Sequence, residues 1–241
     1  MLRVFIGYDH NEDLAYQVAR DSLLRHTRAP VCVEPLVLSR FHATGLLRRP
    51  VDARGGRLYD IHSNAPQATE FAISRFLVPL LVQDGPALFV DCDMVFVDDV
   101  AKLFEFCAAD PTKAVHVVKH RYTPSTSTKM GGHEQVQYPC KNWSSVMLFN
   151  CGHRGHLRLS LDALNNRPGR DLHNFFWLAD TEIGELPAGW NWLVEEQPRP
   201  DPLYLAHYTL GGPWIPGWKL RESDTLWLAA QAAFAPTGAV A

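Results

Sequence analysis

Two aspartates, Asp91 and Asp93, follow directly after the apolar run 87–90 and are separated by a single residue. If the chain is extended at this point, both carboxylates leave the same side of a strand end, with their backbones about 7 Å apart. Two carboxylates this close favour a bound cation, and their hard oxygen atoms suit Mg²⁺ or Mn²⁺. A cation held there can bind a diphosphate and neutralise the charge that develops as the diphosphate leaves. The pair therefore predicts a metal site for a diphosphate ligand, with a solvated turn as the alternative.

The segments around this pair alternate between strand and helix patterns. Strands are predicted for the apolar runs 2–7, 31–38, 87–90, 94–97, 114–119 and 145–149, and helices for the segments with helical apolar spacing, 11–26, 69–82 and 100–106. Residues 39–66 show no sustained period, so they are predicted to form a long loop with short elements.

This alternation predicts an α/β fold with a mixed, mostly parallel central sheet flanked by helices. In such folds, ligands bind beyond the carboxyl ends of the strands, which is where Asp91 and Asp93 are expected. The length of 241 residues suits a single domain, 1–241. Its last residues, 235–241, are expected to form a frayed tail.

The charge balance excludes several classes of protein. Lys and Arg number 23 and Asp and Glu 26, which gives 23 − 26 = −3. Proteins that bind duplexes carry a basic excess or stripe, so no nucleic-acid partner is expected. No run approaches the roughly eighteen apolar residues of a membrane span, and the opening MLRVFIGYDH reaches charge too soon for a secretory signal. We therefore expect no transmembrane segment and a cytoplasmic location.

Six segments extend the aspartate pair into a longer ordered pattern: FIGYDHN, TEFAISRFLVPLL, ALFVDCDMVFVDDVAKLF, SSVMLFNCGH, WLADTEIGELPAGWNWL and HYTLGGPW. With these segments the chain resembles the nucleotide-sugar-dependent glycosyltransferases of family 8 and their glycogenin-like relatives. The resemblance covers most of the chain, and it implies a GT-A fold, which is a Rossmann-like single α/β domain. Order and spacing together are far more specific than the two aspartates alone.

The resemblance implies that His207 joins Asp91 and Asp93 in binding Mn²⁺, and an imidazole beside two carboxylates suits Mn²⁺ better than Mg²⁺. The alternative for His207 is a core histidine at a strand end. Arg75 matches a basic residue that contacts the nucleotide sugar, with a helix-surface cation as the alternative. If Arg75 is buried on its largely apolar segment, it needs an anionic partner.

Four more residues match family positions around the donor. Tyr8 and Asp9 match the nucleobase-binding corner, where a ring can stack on uracil and a carboxylate can accept from its N–H. Asn150 matches the asparagine of an Asn-x-Gly turn beside the donor sugar. Asp180 matches an acidic residue near the reacting carbon. An ordinary turn is the alternative for the first three residues, and a helix terminus for Asp180.

Two positions depart from the family pattern. Thr181 follows Asp180 where relatives usually carry Gln, and Gly212 stands where relatives carry a lysine that contacts the diphosphate. The missing charge could come from Lys219, Lys141 or Lys129. The segments Lys129-Met130 and KNWSS are further candidate contacts for acceptor or donor.

The implied function is transfer of a hexose from a nucleotide-diphosphate sugar, with a UDP-sugar expected, to a carbohydrate or glycoconjugate acceptor. The family retains the configuration at the anomeric carbon. Two routes stay open. In a front-face route, the leaving diphosphate accepts the acceptor's proton; in a double displacement, Asp180 is the nucleophile.

The alternative functions are a catalytically weak nucleotide-sugar-binding protein and a sugar nucleotidyltransferase. The nucleotidyltransferase should open with a basic Gly-rich loop, whereas GYDHNED is acidic.

Tryptophan is confined to the later part of the chain, since all seven lie at or beyond Trp143. We expect 1–110 to form mainly the nucleotide and metal half and 111–234 mainly the acceptor side. Trp177 and Trp227 are predicted in helix core. Loop tryptophans can stack on sugar faces or pack against the sheet, and they are Trp143, Trp190, Trp192, Trp214 and Trp218.

Overall fold

Strands and helices alternate along the chain in the computed structural model, which describes residues 1–54, 57–120, 128–129, 133–134, 140 and 142–234. The strands are β1 Leu2–Tyr8, β2 Val31–Val37, β3 Val51–Arg54, β4 Arg57–Asp60, β5 Ala65–Pro66, β6 Pro86–Val90, β7 Met94–Phe96, β8 Val115–Val117, β9 Thr128–Lys129, β10 His133–Glu134, β11 Val146–Asn150, β12 Ile183–Glu185, β13 Trp192–Leu193 and β14 Leu205–His207. The α-helices are α1 Asp13–His26, α2 Leu38–Ala43, α3 Val78–Val82, α4 Ala101–Ala109, α5 Leu161–Asn166, α6 Gly169–His173 and α7 Thr225–Ala233. Short 3₁₀ turns occupy His10–Glu12, Ser74–Leu77, Trp143–Ser145, Arg154–Arg158, Asp180–Glu182, Ala188–Trp190 and Glu222–Asp224.

Six of the described strands form the central sheet, in the order β12-β8-β11-β6-β1-β2. Strand β1 runs parallel to β2 and β6, and β12 runs parallel to β8. Strand β11 runs antiparallel to both of its neighbours, β6 and β8. The predicted fold class, a mixed and mostly parallel α/β sheet flanked by helices, is therefore confirmed.

The strand directions decide which residues meet at each edge of the sheet. The carboxyl ends of β1 and β6 lie together, because Ile6 pairs with Val90. We call this side the carboxyl edge. Since β11 is reversed, its first residue, Val146, pairs with Val90, and its last residue, Asn150, pairs with Pro86. Residues that precede β11 therefore lie at the carboxyl edge, and residues that follow it lie at the opposite edge.

The core lies on both faces of the central sheet. The residues of β6 from Ala87 to Val90 are completely buried, as the unbroken apolar run predicts. A second apolar cluster joins α1 and α7 to a smaller sheet of three described strands, β13-β14-β7. Strand β7 follows β6 after three residues, so the segment Asp91-Cys92-Asp93 links the two sheets.

The segment 39–66, predicted as a long loop with short elements, contains a short helix and three short strands. Helix α2 fills its start, and three described strands form a small antiparallel sheet in the order β3-β4-β5. A buried ion pair fixes this segment, because Arg49 Nε and Nη2 donate to the two oxygens of Asp60 over 2.6 and 2.9 Å. Arg49 also donates to the carbonyl oxygens of Leu164 and Arg167. The short elements had no apolar period that a sequence pattern could detect.

The helix predicted over 69–82 is broken into turns, the 3₁₀ segment Ser74–Leu77 and α3. Pro79 stands in the first turn of α3, where its missing N–H costs no hydrogen bond, and it could not have continued a longer helix. No helix in the described part of the chain is long and apolar enough to cross a membrane. The tail expected at 235–241 lies outside the described residues.

Candidate functional site

The structure brings Asp91, Asp93 and His207 together at the carboxyl edge. Asp91 and Asp93 follow β6, and His207 ends β14, which pairs antiparallel with β7 so that His207 stands opposite Met94. His207 Nε2 lies 3.3 Å from Asp93 Oδ1 and 3.9 Å from Asp91 Oδ2. The backbone N–H of Tyr208 also donates to the carbonyl of Asp93 over 2.9 Å, which fixes the two segments against each other.

These three side chains fit a divalent cation. Each offers one ligand atom, and the three atoms all lie within 4.8 Å of one another. Neighbouring ligand atoms around an ion with bonds of about 2.1 Å stand about 3 Å apart, so only small side-chain movements would close the set on one ion. Two carboxylates and one imidazole are also a donor set that first-row divalent metals accept.

Arg75 is buried and forms an ion pair with one of the aspartates. Its Nη1 lies 2.8 Å from Asp91 Oδ1 and donates to the carbonyl of Ser144 over 2.9 Å, and its side chain is only 7% exposed. The anionic partner that a buried arginine requires is thus Asp91. This contact fixes the Asp91 carboxylate and offsets part of the negative charge of the pair.

Tyr8 and Asp9 lie at the same edge, at the carboxyl end of β1. Tyr8 donates to Asp13 Oδ1 over 2.9 Å, and this hydrogen bond together with burial raises the pKa of Tyr8. Asp9 Oδ1 accepts from the backbone and side chain of Asn11, and Oδ2 accepts from the backbone N–H of Glu70. The Asp9 carboxylate therefore already caps the turn after β1, and the predicted contact with a nucleobase would have to share it.

A cavity of about 330 Å³ opens beside the aspartates. Its lining comes from 60–75, Asp91 and Asp93, 142–145, 169–173 and residues His207 and Thr209. Arg75 is part of this lining. The segment 142–145 belongs to the KNWSS stretch, which the sequence analysis named as a candidate contact for acceptor or donor, whereas 169–173 was not assigned a role by the motifs. Their position follows from the reversed direction of β11 and from α6, neither of which an apolar pattern reveals.

Two polar side-chain atoms on this lining have no hydrogen-bond partner among the described residues: Asn142 Nδ2 and Thr69 Oγ1, and both atoms are buried. Asn142 has a positive φ of 63°, a conformation that asparagine tolerates better than most residues, just before the turn Trp143–Ser145. Buried polar atoms without partners are costly, and a ligand hydroxyl or phosphate in the cavity could satisfy them.

A neutral histidine also lines the cavity. His173 Nδ1 lies 2.6 Å from Ser144 Oγ, which ties α6 to the turn before β11. Burial and, to a smaller extent, the nearby charge of Arg75 lower the pKa of His173 to about 3. His173 is therefore uncharged at neutral pH and offers hydrogen bonds rather than charge.

A carboxyl that the motifs did not single out lies behind the metal pair. Cys92, between the two aspartates, points away from the cavity, and its Sγ donates to Glu12 Oε2 over 3.1 Å. Burial and the charge of Asp93 raise the pKa of Glu12 to about 7. The spacing of Glu12 from Asp91 and Asp93 in the sequence gives no signal of this contact.

Asn150 and Asp180 do not lie at the carboxyl edge, so the expectations for these two residues are corrected. Asn150 pairs with Pro86 at the start of β6, about 13 Å along the strand from its carboxyl end. Its Nδ2 donates to the carbonyl of Pro111. Asp180 precedes β12, whose first residue, Ile183, pairs with Val115 on the same far edge. The resemblance assigned Asn150 to the donor, but β11 is antiparallel to its neighbours, and its last residue therefore lies at the opposite edge.

The loop tryptophans could either stack on sugar faces or pack against the sheet, and three of them take the second alternative. Trp190, Trp192 and Trp214 are 2%, 9% and 9% exposed, so they belong to the core. No tryptophan lines the cavity in the described part of the chain. Trp177 and Trp227 are core residues as predicted, although Trp177 lies in a turn and not in a helix.

Gly212, which stands where the family pattern has a lysine, packs closely against the ring of Trp214. A Cβ atom at this position would overlap the ring of Trp214, so the close approach of backbone to ring requires glycine. Lys219 is exposed and lies outside the lining of the cavity. The side chain of Lys129 and residues Met130 and Lys141 lie outside the described part of the chain.

The fold resembles that of solved glycosyltransferases. The galactosyltransferase LgtC, solved with donor and acceptor sugar analogues, matches with a TM-score of 0.57 and 14% identity, over 98% of each chain. The apo form of GlyE from Streptococcus pneumoniae matches with a TM-score of 0.56 and 14% identity, over 95% of this chain and 60% of that one. The bifunctional glycosyltransferase WbbM matches with a TM-score of 0.54 and 13% identity, and this chain spans only 45% of it. The chain therefore has a GT-A glycosyltransferase fold.

The sequence itself has a closer relative. No protein-family model matches the chain. Protein CDI of Arabidopsis thaliana is 42% identical over 233 residues, which cover 94% of this chain and 84% of that protein. The chain therefore belongs to the same family as Protein CDI.

Proposed function

We propose that this protein is a metal-dependent, retaining glycosyltransferase related to family 8, which transfers a hexose from a nucleotide-diphosphate sugar to a carbohydrate or glycoconjugate acceptor. A UDP-sugar is the expected donor. The observation that carries the proposal is the convergence of Asp91, Asp93 and His207 beside a cavity at the carboxyl edge of a glycosyltransferase fold. This edge is where α/β sheets bind their ligands.

Asp91, Asp93 and His207 would hold the metal ion. A bound Mn²⁺ or Mg²⁺ supplies positive charge to the donor's diphosphate and stabilises it as a leaving group. The imidazole in the donor set favours Mn²⁺, because Mg²⁺ prefers oxygen ligands alone. Arg75 keeps the Asp91 carboxylate oriented through its 2.8 Å contact.

The remaining residues would bind and orient the donor. Tyr8 and Asp9 are proposed for the nucleobase, since they follow β1 at the same edge. The unpartnered polar atoms of Asn142 and Thr69 are suited to the sugar or diphosphate, and they replace Asn150 in this role. Catalysis then rests mainly on positioning and on stabilising charge at the leaving group.

The cavity favours the front-face route over double displacement. The carboxylates on its described lining are Asp60, Asp91 and Asp93. Asp60 accepts from Nε and Nη2 of Arg49, and the other two are the proposed metal ligands. A covalent glycosyl intermediate needs a further carboxylate nucleophile, and Asp180 lies at the opposite edge. The leaving diphosphate is therefore the proposed acceptor of the proton.

Slow hydrolysis of the donor tests this function. The protein is incubated with Mn²⁺ and a panel of nucleotide sugars, and release of the nucleoside diphosphate is followed. We expect hydrolysis of at least one donor that requires the metal and is lost in Asp93→Asn, with the variant still folded. Metal-dependent binding of a donor without any turnover would favour a nucleotide-sugar-binding protein. If no donor is bound or hydrolysed with any divalent ion, the proposal is wrong.

A further inference from the structure

We propose that Asn191 is a positioning residue that fixes the tautomer and the direction of the His207 imidazole, so that the Nε2 lone pair points at the space shared with Asp91 and Asp93. The inference rests on the metal site of the proposed function. Asn191 touches neither the cavity nor the aspartates in the described contacts, and it acts only through His207.

Asn191 is held at the core of the smaller sheet. It follows the turn Ala188–Trp190 and precedes β13, which pairs in parallel with β14 so that Leu193 stands beside His207. The residue is completely buried. A buried amide must satisfy both its oxygen and its nitrogen, because each unpaired polar atom costs about 1–3 kcal/mol.

Each end of the amide has a partner. Asn191 Oδ1 lies 2.9 Å from His207 Nδ1. At the other end, Nδ2 donates to Ser145 Oγ over 2.8 Å and to the carbonyl of Asn142 over 3.3 Å. Ser145 Oγ in turn donates to the same Asn142 carbonyl over 2.7 Å.

These partners determine which ring nitrogen of His207 carries the proton. The carbonyl of Asn142 can only accept, so the end of the Asn191 amide that faces it must be the NH₂ group. The opposite end, which faces His207 Nδ1, is then the oxygen, and Nδ1 must donate to it. In the neutral imidazole this leaves the lone pair on Nε2. The Nε2 atom lies 3.3 Å from Asp93 Oδ1 and 3.9 Å from Asp91 Oδ2.

The same turn also holds the other side of the site. The carbonyl of Ser144 accepts from Arg75 Nη1, and Arg75 contacts Asp91. Asp91 and His207 are thus both tied to the turn Trp143–Ser145, one through Arg75 and the other through Asn191. This link orients the imidazole and the carboxylate before a metal binds, which favours binding because less side-chain freedom is lost.

Manganese titrations test the role of Asn191. Asn191→Leu keeps the branched shape of the side chain but cannot accept from Nδ1, and removal of such an outer partner typically weakens metal affinity ~10- to 100-fold. Asn191→Asp still accepts from Nδ1 and should retain most of the affinity. The buried Asn165, which bonds to Leu46, Leu161 and Arg48, provides the control, since Asn165→Leu should change stability but not Mn²⁺ affinity.

Pulsed electron paramagnetic resonance of the bound Mn²⁺ gives a second readout, the coupling of one histidine ¹⁴N. We expect this signal in the wild type and in Asn191→Asp, and a weakened or absent signal in Asn191→Leu. In a His207→Ala background, Asn191→Leu should cause no further loss of affinity. A merely structural role would leave the ¹⁴N coupling intact and would lower affinity equally in both backgrounds.

Two outcomes overturn the inference. The first is an Asn191→Leu variant that binds Mn²⁺ with wild-type affinity and wild-type ¹⁴N coupling. The second is a wild type that binds no Mn²⁺. This result would show that the proposed metal site itself is wrong, whereas the first outcome rejects the role of Asn191 and leaves the metal site in place. If Asn191→Leu does not fold, Asn191→Ala removes the same acceptor from His207 Nδ1 with a smaller side chain, and unchanged affinity and coupling there contradict the inference as well.

Discussion

The Asp91 carboxylate is shared between two neighbours of different chemistry. Oδ1 lies 2.8 Å from the Arg75 guanidinium, and Oδ2 lies 3.9 Å from His207 Nε2. Two carboxylates and one guanidinium give −2 + 1 = −1, and a bound divalent ion would bring this to −1 + 2 = +1. A chain with a net charge of −3 can therefore attract a diphosphate at this one place without a basic surface.

At the residue scale, Asn142 and Asp180 should differ in their effect on donor binding. Asn142→Gly keeps the positive φ but removes the amide from the cavity, and it should weaken the affinity for a UDP-sugar with Mn²⁺ by about 10-fold, equivalent to about 1.4 kcal/mol. Asp180→Asn, on the far edge, should leave that affinity within about two-fold. Calorimetric titration measures both, and a larger effect from Asp180→Asn would contradict the assignment.

The sequence predicted part of this site and missed the rest for physical reasons. Asp91 and Asp93 follow from a local pattern, a buried strand that ends in two carboxylates. His207 is distant in the chain, and only a family resemblance could join it to them. Asn150 was assigned to the donor by the resemblance alone, and an apolar run such as 146–149 does not reveal the direction of its strand. The reversed β11 brings Asn142, before the strand, to the cavity instead.

At the element scale, the segment that contains β3, β4 and β5 forms one wall of the cavity and depends on one ion pair. Arg49 and Asp60 have side chains that are 2% and 1% exposed. Burial alone would raise the pKa of Asp60, but its hydrogen bonds to Arg49 and Ser63 outweigh this and lower it. This wall could not be predicted from periodicity, since a buried ion pair and not an apolar stripe holds it.

Removal of one partner of this pair should be costly. Arg49→Met leaves the Asp60 charge buried without its partner and should lower the free energy of unfolding by about 3–5 kcal/mol, as measured by urea denaturation. The matched exposed pair, Arg54 with Asp52, has side chains that are 54% and 53% exposed, so Arg54→Met should change stability by no more than about 0.5 kcal/mol. Adding Asp60→Leu to Arg49→Met should recover part of the loss. Equal effects of the two arginine substitutions would contradict this account.

At the scale of the whole molecule, the site lies where the two sheets are linked. The central sheet supplies Asp91, and β14 of the smaller sheet supplies His207. The buried tryptophans of the second core cluster, Trp192, Trp214 and Trp227, pack around β14. These tryptophans from the later part of the chain thus support the strand that carries His207.

Acid should destabilise the metal-free protein through its buried neutral histidines, and His156 provides a specific test. Burial lowers the pKa of His156 to about 4 from 6.5, and its Nδ1 accepts from Trp177 Nε1. Since the pKa is lower in the folded protein, the stability contribution is present above pH 6.5 and is lost as the pH falls towards 4. Titration of His156 alone should lower the free energy of unfolding by about 2 kcal/mol between pH 7 and pH 5.

Urea unfolding at these two pH values measures the contribution. His156→Gln should reduce the difference in the free energy of unfolding between pH 7 and pH 5 by about 2 kcal/mol relative to wild type. The exposed His62 is the control, and His62→Gln should leave the difference unchanged. A His156→Gln variant with the full wild-type pH dependence would show that His156 does not titrate in this way.

The central claim, that Asp91, Asp93 and His207 form a metal site for a nucleoside diphosphate, is tested most directly by the calorimetric affinity for UDP with and without Mn²⁺. We expect tight binding by the wild type only when Mn²⁺ is present. Asp93→Asn, which keeps the shape of the side chain, should lose this metal dependence while it still unfolds cooperatively. UDP affinity that is the same with and without Mn²⁺, or a variant that responds to Mn²⁺ as the wild type does, would contradict the claim.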